Sequence, residues 1–331
     1  MFETTPIHAL QSLASAPLTA FMWTITLLGY FPAYLLGLAV IMFGIDLRKG
    51  VFLSQLLLWT LALTDVAKAL VALPRPVDVD ATLRRLDSGK PNHAPFSAAG
   101  GTGFFALPSR GAVEYYRTLG GYSYGFPSGH VSSATTFWGG SALLFQRRWL
   151  LPTALAIIVL MAFSRMYLGR HFLGDVLGGG ALGVAVLAVG FSLFAARWAP
   201  MPLLGPAELR LGILTLAGLI GAPLLLFLLP GAERDAGRLL GLNLGYVVLS
   251  FRGGLPRDGG PWSHRAMRIA LAVALAVVGL RLTPGAFPVA GGDGGPLAEL
   301  LVGAVPPFVM LTGTVLLGRR LGLYPDRAPA A

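Results

Sequence analysis

The sequence contains no cysteine and few charged residues. The absence of cysteine excludes disulfide bonds, thiolate metal ligands and a cysteine nucleophile. Charged residues make up only 12% of the 331 residues, whereas 55% are hydrophobic, and the mean hydropathy is +0.70. This composition excludes a soluble globular domain and is typical of an integral membrane protein.

Long apolar runs are the most prominent feature of the sequence. An apolar stretch of about 17 to 25 residues is long enough to cross the hydrocarbon core as a helix. These runs predict an all-α, polytopic helix bundle with about nine transmembrane helices. The nine predicted segments are residues 18–44, 51–73, 129–146, 149–168, 172–196, 211–229, 236–251, 267–283 and 297–318.

The basic residues indicate membrane topology. The formal net charge is +10, but 22 of the 25 basic residues are arginine and lie scattered at helix ends, which excludes a nucleic-acid-binding patch. Connectors with adjacent basic residues, such as Arg147 and Arg148, fall on one side of a nine-helix arrangement. The positive-inside rule places that side in the cytoplasm, so the amino terminus is expected outside. Residues 1–17 contain no Lys or Arg and predict no cleaved signal peptide.

Polar residues at helix ends divide the chain into two predicted parts. Residues 1–197 hold five apolar segments and every candidate motif, and predict a membrane-embedded catalytic core. Residues 198–331 hold four more segments joined by Pro- and Gly-rich connectors, and predict accessory transmembrane helices. No internal repeat or inverted duplication is present in the sequence.

The first motif lies at the outer end of the second segment. Lys68 and Arg75 are seven residues apart, about two helical turns, so both cations can lie on one face and bind an oxyanion. Pro74 and Pro76 fix how the chain leaves the helix. The alternative is that both side chains extend to the membrane interface, as basic residues near helix ends often do.

The second motif opens the third segment. Pro127, Ser128 and Gly129 form a helix start whose exposed amides suit an anion, and glycine allows a phosphate to approach closely. His130, in the first turn, can protonate a leaving group. The alternative is a plain helix cap followed by an interfacial histidine.

The third motif joins the fourth and fifth segments. His171 and Asp175 are spaced i, i+4, so the carboxylate can hold one imidazole nitrogen and leave the other free to attack. Arg165 supplies a planar fork suited to phosphate oxygens. The alternative is a structural pair, but ionisable groups at membrane helix ends are costly and usually functional.

All three motifs fall on the same, outer side of the predicted bundle. Together they resemble the signature of the type 2 phosphatidic acid phosphatase family over roughly residues 10–197. The resemblance implies a helical fold of the kind shared with vanadium haloperoxidases. The residues that carry it are Lys68 to Pro76, Pro127 to His130, Ser164, Arg165, His171 and Asp175.

The family resemblance also implies a mechanism without metal or other cofactor. His171 would attack phosphorus and become a phosphohistidine, Asp175 would orient it, and His130 would protonate the departing group. His130 would then act as the base that activates water. The phosphate oxygens would be held by Lys68, Arg75, Ser128, Gly129 and Arg165.

A site at the outer surface suits a lipid that keeps its tail in the bilayer. Prenyl diphosphates, phosphatidic acid, phosphatidylglycerophosphate and sphingoid phosphates all meet this description, with undecaprenyl diphosphate the first candidate. The expected location is a bacterial inner (plasma) membrane with the site facing outwards. The sequence leaves the oligomeric state and the choice between mono- and diphosphates open.

Three other functions compete with hydrolysis. A phosphotransferase would use the same site with an alcohol in place of water. A transporter would use Asp65, Lys68, His171 and Asp175 as an ion path, and a binding protein would have lost the chemistry although none of the signature residues is missing. Among other residues, Arg110, Arg117, Tyr122 and Tyr124 are expected on a solvated loop, Arg170 near the pocket or lipid head groups, and His8, His93 and His264 without partners.

Overall fold

The computed structural model describes residues 1–119, 122–194, 216–283 and 295–325. Every regular element within these ranges is a helix, which confirms the all-α prediction for this part of the chain. The chain forms two compact units. The first comprises Met1–Tyr34 and Leu63–Gly190, and the second comprises Leu35–Ala62 and Phe191–Ala331. The predicted boundary between residues 197 and 198 lies outside the described residues and stays a prediction.

Ten α-helices lie in the described residues up to residue 194. Their bounds are α1 Thr5–Ser12, α2 Ala16–Leu27, α3 Phe31–Ala39, α4 Leu47–Val71, α5 Pro76–Val79, α6 Arg110–Thr118, α7 Gly129–Ala134, α8 Gly140–Phe145, α9 Leu150–Tyr167 and α10 Leu173–Phe194. Two π-helical stretches, Val40–Ile45 and Thr135–Gly139, follow α3 and α7. The chain leaves the first unit within α3, returns within α4 and leaves it again near the end of α10.

Five further α-helices lie in the described part of the second unit. Their bounds are α11 Ala222–Leu226, α12 Glu233–Phe251, α13 Trp262–Leu282, α14 Gly295–Phe308 and α15 Thr314–Arg320, with π-helical stretches at Ala217–Gly221 and Val309–Gly313. Gly241 of α12 lies so close to Ala304 of α14 that a Cβ atom would collide with its backbone oxygen. Arg268 is buried over the Tyr324 ring, 4.6 Å from its centroid, and donates to the Gly259 carbonyl at 2.9 Å.

Several of the helices are long and apolar enough to cross a membrane. Among the described residues, four segments meet this criterion: Leu47–Val79, Leu150–Tyr167, Leu173–Leu193 and Gly295–Arg320. Ala16–Leu27 and Phe31–Ile45, which bend by 54° between them, make five if they form one span. The chain is therefore a membrane protein, while the count of nine spans stays a prediction. Parts of two predicted spans, residues 195–196 and 211–215, lie outside the described residues.

Glycines of α10 allow it to pack directly on the backbone of the chain around α7. A Cβ atom at Gly183 would lie 2.8 Å from the Ser132 carbonyl oxygen and 2.6 Å from Thr135 Cβ. At Gly179 it would collide with the Ser128 carbonyl oxygen. Small residues permit such close helix contacts in membrane proteins. This contact places the start of α7 beside the start of α10, where the second and third motifs lie.

Candidate active site

The turn between α9 and α10 presents His171 to Asp175. His171 Nδ1 lies 3.3 Å from Asp175 Oδ2, and the Phe172 backbone N–H donates to the same oxygen at 2.9 Å. The histidine is 2% exposed and the aspartate is fully buried. Because a carboxylate only accepts hydrogen bonds, this contact puts a proton on Nδ1 and leaves the Nε2 lone pair free.

The environment keeps the His171 ring neutral. Burial lowers the pKa of His171 well below its ordinary value of 6.5, and the positive charges of Arg75, Arg165 and Lys68 lower it further. An imidazole that acts as a nucleophile needs its lone pair, so a neutral ring at pH 7 is the reactive form.

The start of α7 has the features of an anion site. Ser128 is the residue before the first turn, and its hydroxyl is buried without a hydrogen-bond partner among the described residues. A Cβ atom at Gly129 would lie 3.4 Å from Lys68 Nζ, so the ammonium group lies close to the helix start. Free amides, an unsatisfied hydroxyl and a cation therefore meet at one point, as an anion requires.

His130 lies one residue further along α7. Its Nε2 atom is buried and has no partner within the described part of the chain. The ring packs edge-on against Tyr30, with centroids 4.9 Å apart. A Cβ atom at Gly29 would lie 2.5 Å from His130 Cδ2, so the glycine between α2 and α3 makes room for this ring.

Three cations come from separate elements. Arg75 donates from Nε to the Ser123 carbonyl and from Nη2 to the Ser123 hydroxyl, both at 2.9 Å. Arg165 is 4% exposed, and its Nη1 lies 3.5 Å from Thr26 Oγ1. Lys68 pairs with Asp65 at 3.2 Å.

The structure brings all eight predicted site residues into one cluster within the first unit. The charges of Lys68, Arg75 and Arg165 reach His171. The Ser128 backbone N–H donates to the Asp175 carbonyl oxygen at 2.9 Å, which joins the second motif to the third. Buried donors without acceptors therefore surround a histidine with a free nitrogen, an arrangement suited to attack on a tetrahedral oxyanion.

Comparison with known proteins identifies this segment. Residues 49–199, which contain all eight of these residues, match the model of the PAP2 superfamily. This segment belongs to the PAP2 superfamily. The resemblance found in the sequence to the type 2 phosphatidic acid phosphatases is therefore confirmed.

A curated relative is similar to part of the chain. The chain is 27% identical over 125 residues to a protein named Lipid A 4'-phosphatase from Porphyromonas gingivalis. The alignment covers 34% of this chain and 53% of the relative, so the chain spans about half of the relative's length. No solved structure matches the chain.

Phe2 packs between the two turns that carry the second and third motifs, although no sequence feature pointed to it. Its ring centroid lies 6.2 Å from that of Phe126, which precedes the second motif, and 5.7 Å from that of Phe172, next to His171. The Gly174 backbone N–H donates to the Met1 carbonyl at 3.0 Å. The first two residues thus fill the space between the turns.

Charged residues in and around the loop between α4 and α7 mostly hold that loop in place. Arg170 donates to Asp87 at 2.6 Å, so it is paired with a carboxylate instead of facing lipid head groups alone. Arg117 donates to the Val71 carbonyl at 3.0 Å, at the end of α4. The expectation that His8 lacks a partner was wrong, because its Nε2 lies 3.0 Å from Asp80 Oδ2.

Within residues 1–119, 122–194, 216–283 and 295–325, no group of three or more His, Asp or Glu side chains lies close enough together to hold a metal ion.

Proposed function

We propose that this protein removes phosphate from a membrane lipid phosphate or diphosphate through a phosphohistidine at His171. The observation that carries the proposal is the His171 ring, held through Nδ1 by Asp175 and left free at Nε2 among three cations. Membership of the PAP2 superfamily and the name of the relative both support a phosphatase.

In the first step, the Nε2 lone pair of His171 attacks phosphorus and the bond to the leaving oxygen breaks. The electron pair of that bond goes to the leaving oxygen, which takes a proton from His130. The ring gains positive charge, and Asp175 stabilises it through Nδ1, as the aspartate of a catalytic triad does. In the second step, His130 removes a proton from water, water attacks phosphorus, and the phosphorus–nitrogen bond returns its electron pair to His171.

The cluster around His171 would hold the phosphate oxygens. Buried polar groups without partners cost about 1–3 kcal/mol each, so the Ser128 hydroxyl favours a bound oxyanion. Fixed donors that match the charge of the transition state are usually the largest catalytic contribution. The groups assigned to the oxygens are Lys68, Arg75, Arg165, the Ser128 hydroxyl and the Gly129 amide.

The proposal extends to substrate and topology. Undecaprenyl diphosphate, phosphatidic acid and phosphatidylglycerophosphate remain candidates, and the relative's name adds a lipid A phosphate. We place the site on the outer side of a bacterial inner membrane, in a nine-span protein whose residues 1–197 form the core and residues 198–331 an accessory part. A phosphotransferase with the same phosphoenzyme is the second candidate, and a transporter a distant third.

Phosphate release by the purified protein in detergent tests the proposal. The assay uses a panel of lipid phosphates and diphosphates in EDTA, with wild type, His171→Ala and the surface variant Glu114→Gln. We expect wild type and Glu114→Gln to release phosphate in EDTA and His171→Ala to be slower by at least about 1000-fold. Because a phosphorus–nitrogen bond is labile in acid, the reaction is stopped with alkaline detergent, after which wild type and Glu114→Gln should carry labelled phosphate and His171→Ala should carry none.

Other outcomes would contradict parts of this proposal. Release that stops in EDTA would contradict the metal-free mechanism. Release that persists in a folded His171→Ala protein would exclude this histidine as nucleophile. A phosphorylated protein that stays phosphorylated in water, and transfers its phosphoryl group to an added alcohol, would favour the phosphotransferase.

A further inference from the structure

A half-open cavity of about 180 Å³ lies in the outer loop of the first unit, apart from the cluster around His171. Since a water molecule occupies about 30 Å³ in the liquid, this volume holds roughly one phosphate or carboxylate group with a few attached atoms. Its polar lining comes from Asp78, Arg85, Asn92, His93 and Tyr116. The cavity is therefore the size of part of a head group.

Asn92 and Tyr116, two of the lining residues, have their polar side-chain groups hydrogen-bonded to the backbone. The Asn92 amide donates to the carbonyls of Asp80 and Leu83 at 2.9 and 3.0 Å, which fixes the loop. The Tyr116 hydroxyl donates to the Asp78 carbonyl at 3.1 Å. These groups shape the wall and leave little capacity for a ligand.

Arg85 is different, because its Nε–H group lacks an acceptor. The residue is partly exposed, but its Nε atom is buried and has no hydrogen-bond partner among the described residues. A buried N–H group without a partner is costly, and a guanidinium group matches the oxygens of phosphate or carboxylate. The His93 ring also lines this cavity. The unpaired donor therefore favours an anionic ligand.

The walls of the cavity are attached to the proposed active site on two sides. Asp78 Oδ2 accepts the Arg75 backbone N–H at 2.9 Å. Asp87, two residues after Arg85, pairs with Arg170, the residue before His171. The cavity wall is therefore linked through Asp78 to Arg75 of the proposed site, and through Asp87 to the residue before His171.

We infer that the Arg85 cavity binds a second anionic group of the substrate head group. The substrate class is then a lipid phosphate whose head group carries an anionic group in addition to the phosphate removed. This inference rests on the function proposed above, and it assigns Arg85 to substrate choice and not to the chemical steps.

The test compares two lipids with matched acyl chains in the same detergent micelles. Phosphatidic acid carries one phosphate, whereas phosphatidylglycerophosphate carries a terminal phosphate and a phosphodiester. The variant is Arg85→Gln, and its control is Arg110→Gln, an arginine of the same loop that is 92% exposed. We expect Arg85→Gln to lower kcat/KM about 10-fold or more for phosphatidylglycerophosphate and less than about twofold for phosphatidic acid. Arg110→Gln should leave both values unchanged.

The possible outcomes separate this inference from the proposed function. Equal losses on both lipids would assign Arg85 to loop structure and overturn the inference, as would no loss on either. If wild type hydrolyses neither lipid, the lipid panel described above decides on the proposed function, and binding of the two lipids to wild type and Arg85→Gln decides on the cavity. If Arg85→Gln binds phosphatidylglycerophosphate alone more weakly than wild type does, the inference about the cavity is supported. Unchanged binding would overturn it.

Discussion

At the scale of single residues, Asp175 determines which nitrogen of His171 is free. Its Oδ2 atom accepts from the Phe172 backbone and from His171 Nδ1, while Oδ1 is buried and has no partner among the described residues. The carboxylate is thus fixed from the backbone of the same turn that carries the histidine. In the proposed mechanism, both the orientation of the ring and the stabilisation of its positive charge depend on this side chain.

We expect Asp175→Asn to lower kcat about 100- to 10,000-fold with KM changed only a few-fold. The amide keeps the size of the side chain but cannot stabilise the positive ring, and it can donate to Nδ1 and favour the wrong tautomer. Steady-state kinetics on the best lipid measures the effect, with Glu114→Gln as the control on an exposed carboxylate. A kcat within about threefold of wild type would show that the pair is structural.

The acid side of the pH profile depends on the charges near His171. Because burial and three cations lower the pKa of His171 below 6.5, the ring loses its lone pair only when pH falls below that value. The acid limb of kcat/KM should therefore lie below pH 6.5. Arg75→Gln removes the largest of the charge contributions, so the pKa of His171 rises and the acid limb should move to higher pH. Both proteins are measured on the same lipid, so ionisation of the substrate contributes equally to the two pH profiles. An acid limb that does not move would contradict the assignment of this limb to His171.

The candidate residues could be predicted because their types and short spacings are set by the chemistry. His171 and Asp175 are one helical turn apart, and the structure places them in contact. Phe2 and Asp87 could not be predicted in the same way. Asp87 meets Arg170 across 83 positions, and Phe2 contributes only an apolar ring. Such contacts follow from the packing of the whole unit, which one sequence does not reveal.

At the scale of helices, the glycines of α10 control the approach of α7. We expect Gly183→Ala to lower the free energy of unfolding by about 1–3 kcal/mol, because its Cβ atom would lie 2.8 Å from the Ser132 carbonyl oxygen. Gly180→Ala is the matched control, since its nearest neighbour would be 4.0 Å away and alanine favours helix by about 1 kcal/mol. Thermal unfolding in detergent compares the two. Equal stability of both variants would show that the contact is not tight.

Apolar length predicted where helices occur but not how they are interrupted. Helices occupy described parts of all nine predicted segments. The 54° bend within the first segment was not predicted. It lies at Gly29, which makes room for the His130 ring, and a contact between residues so far apart in the sequence leaves no local signal. The short helices α5 and α6 in the outer loop also escaped prediction, since hydrogen bonds to distant residues hold them.

At the scale of the whole molecule, the proposed topology places residues 77–126 outside and the connector at Arg147 and Arg148 inside. Because the chain has no cysteine, single cysteines introduced at Ser88 and Arg148, both exposed, can be labelled without background. A membrane-impermeant maleimide applied to intact cells should label Ser88→Cys and spare Arg148→Cys. Both should react after permeabilisation. The reverse pattern in intact cells would place the site in the cytoplasm.

The glycine contact between α10 and α7 also affects how the protein can diverge. Where backbone meets backbone at Gly179 and Ser128, there is no side chain whose gradual replacement would reshape the phosphate site. The outer loop is attached instead by individual pairs, such as Arg170 with Asp87, that can be exchanged one at a time. We expect natural variation and laboratory selection for new lipids to accumulate changes in the loop while the reaction itself is inherited unchanged.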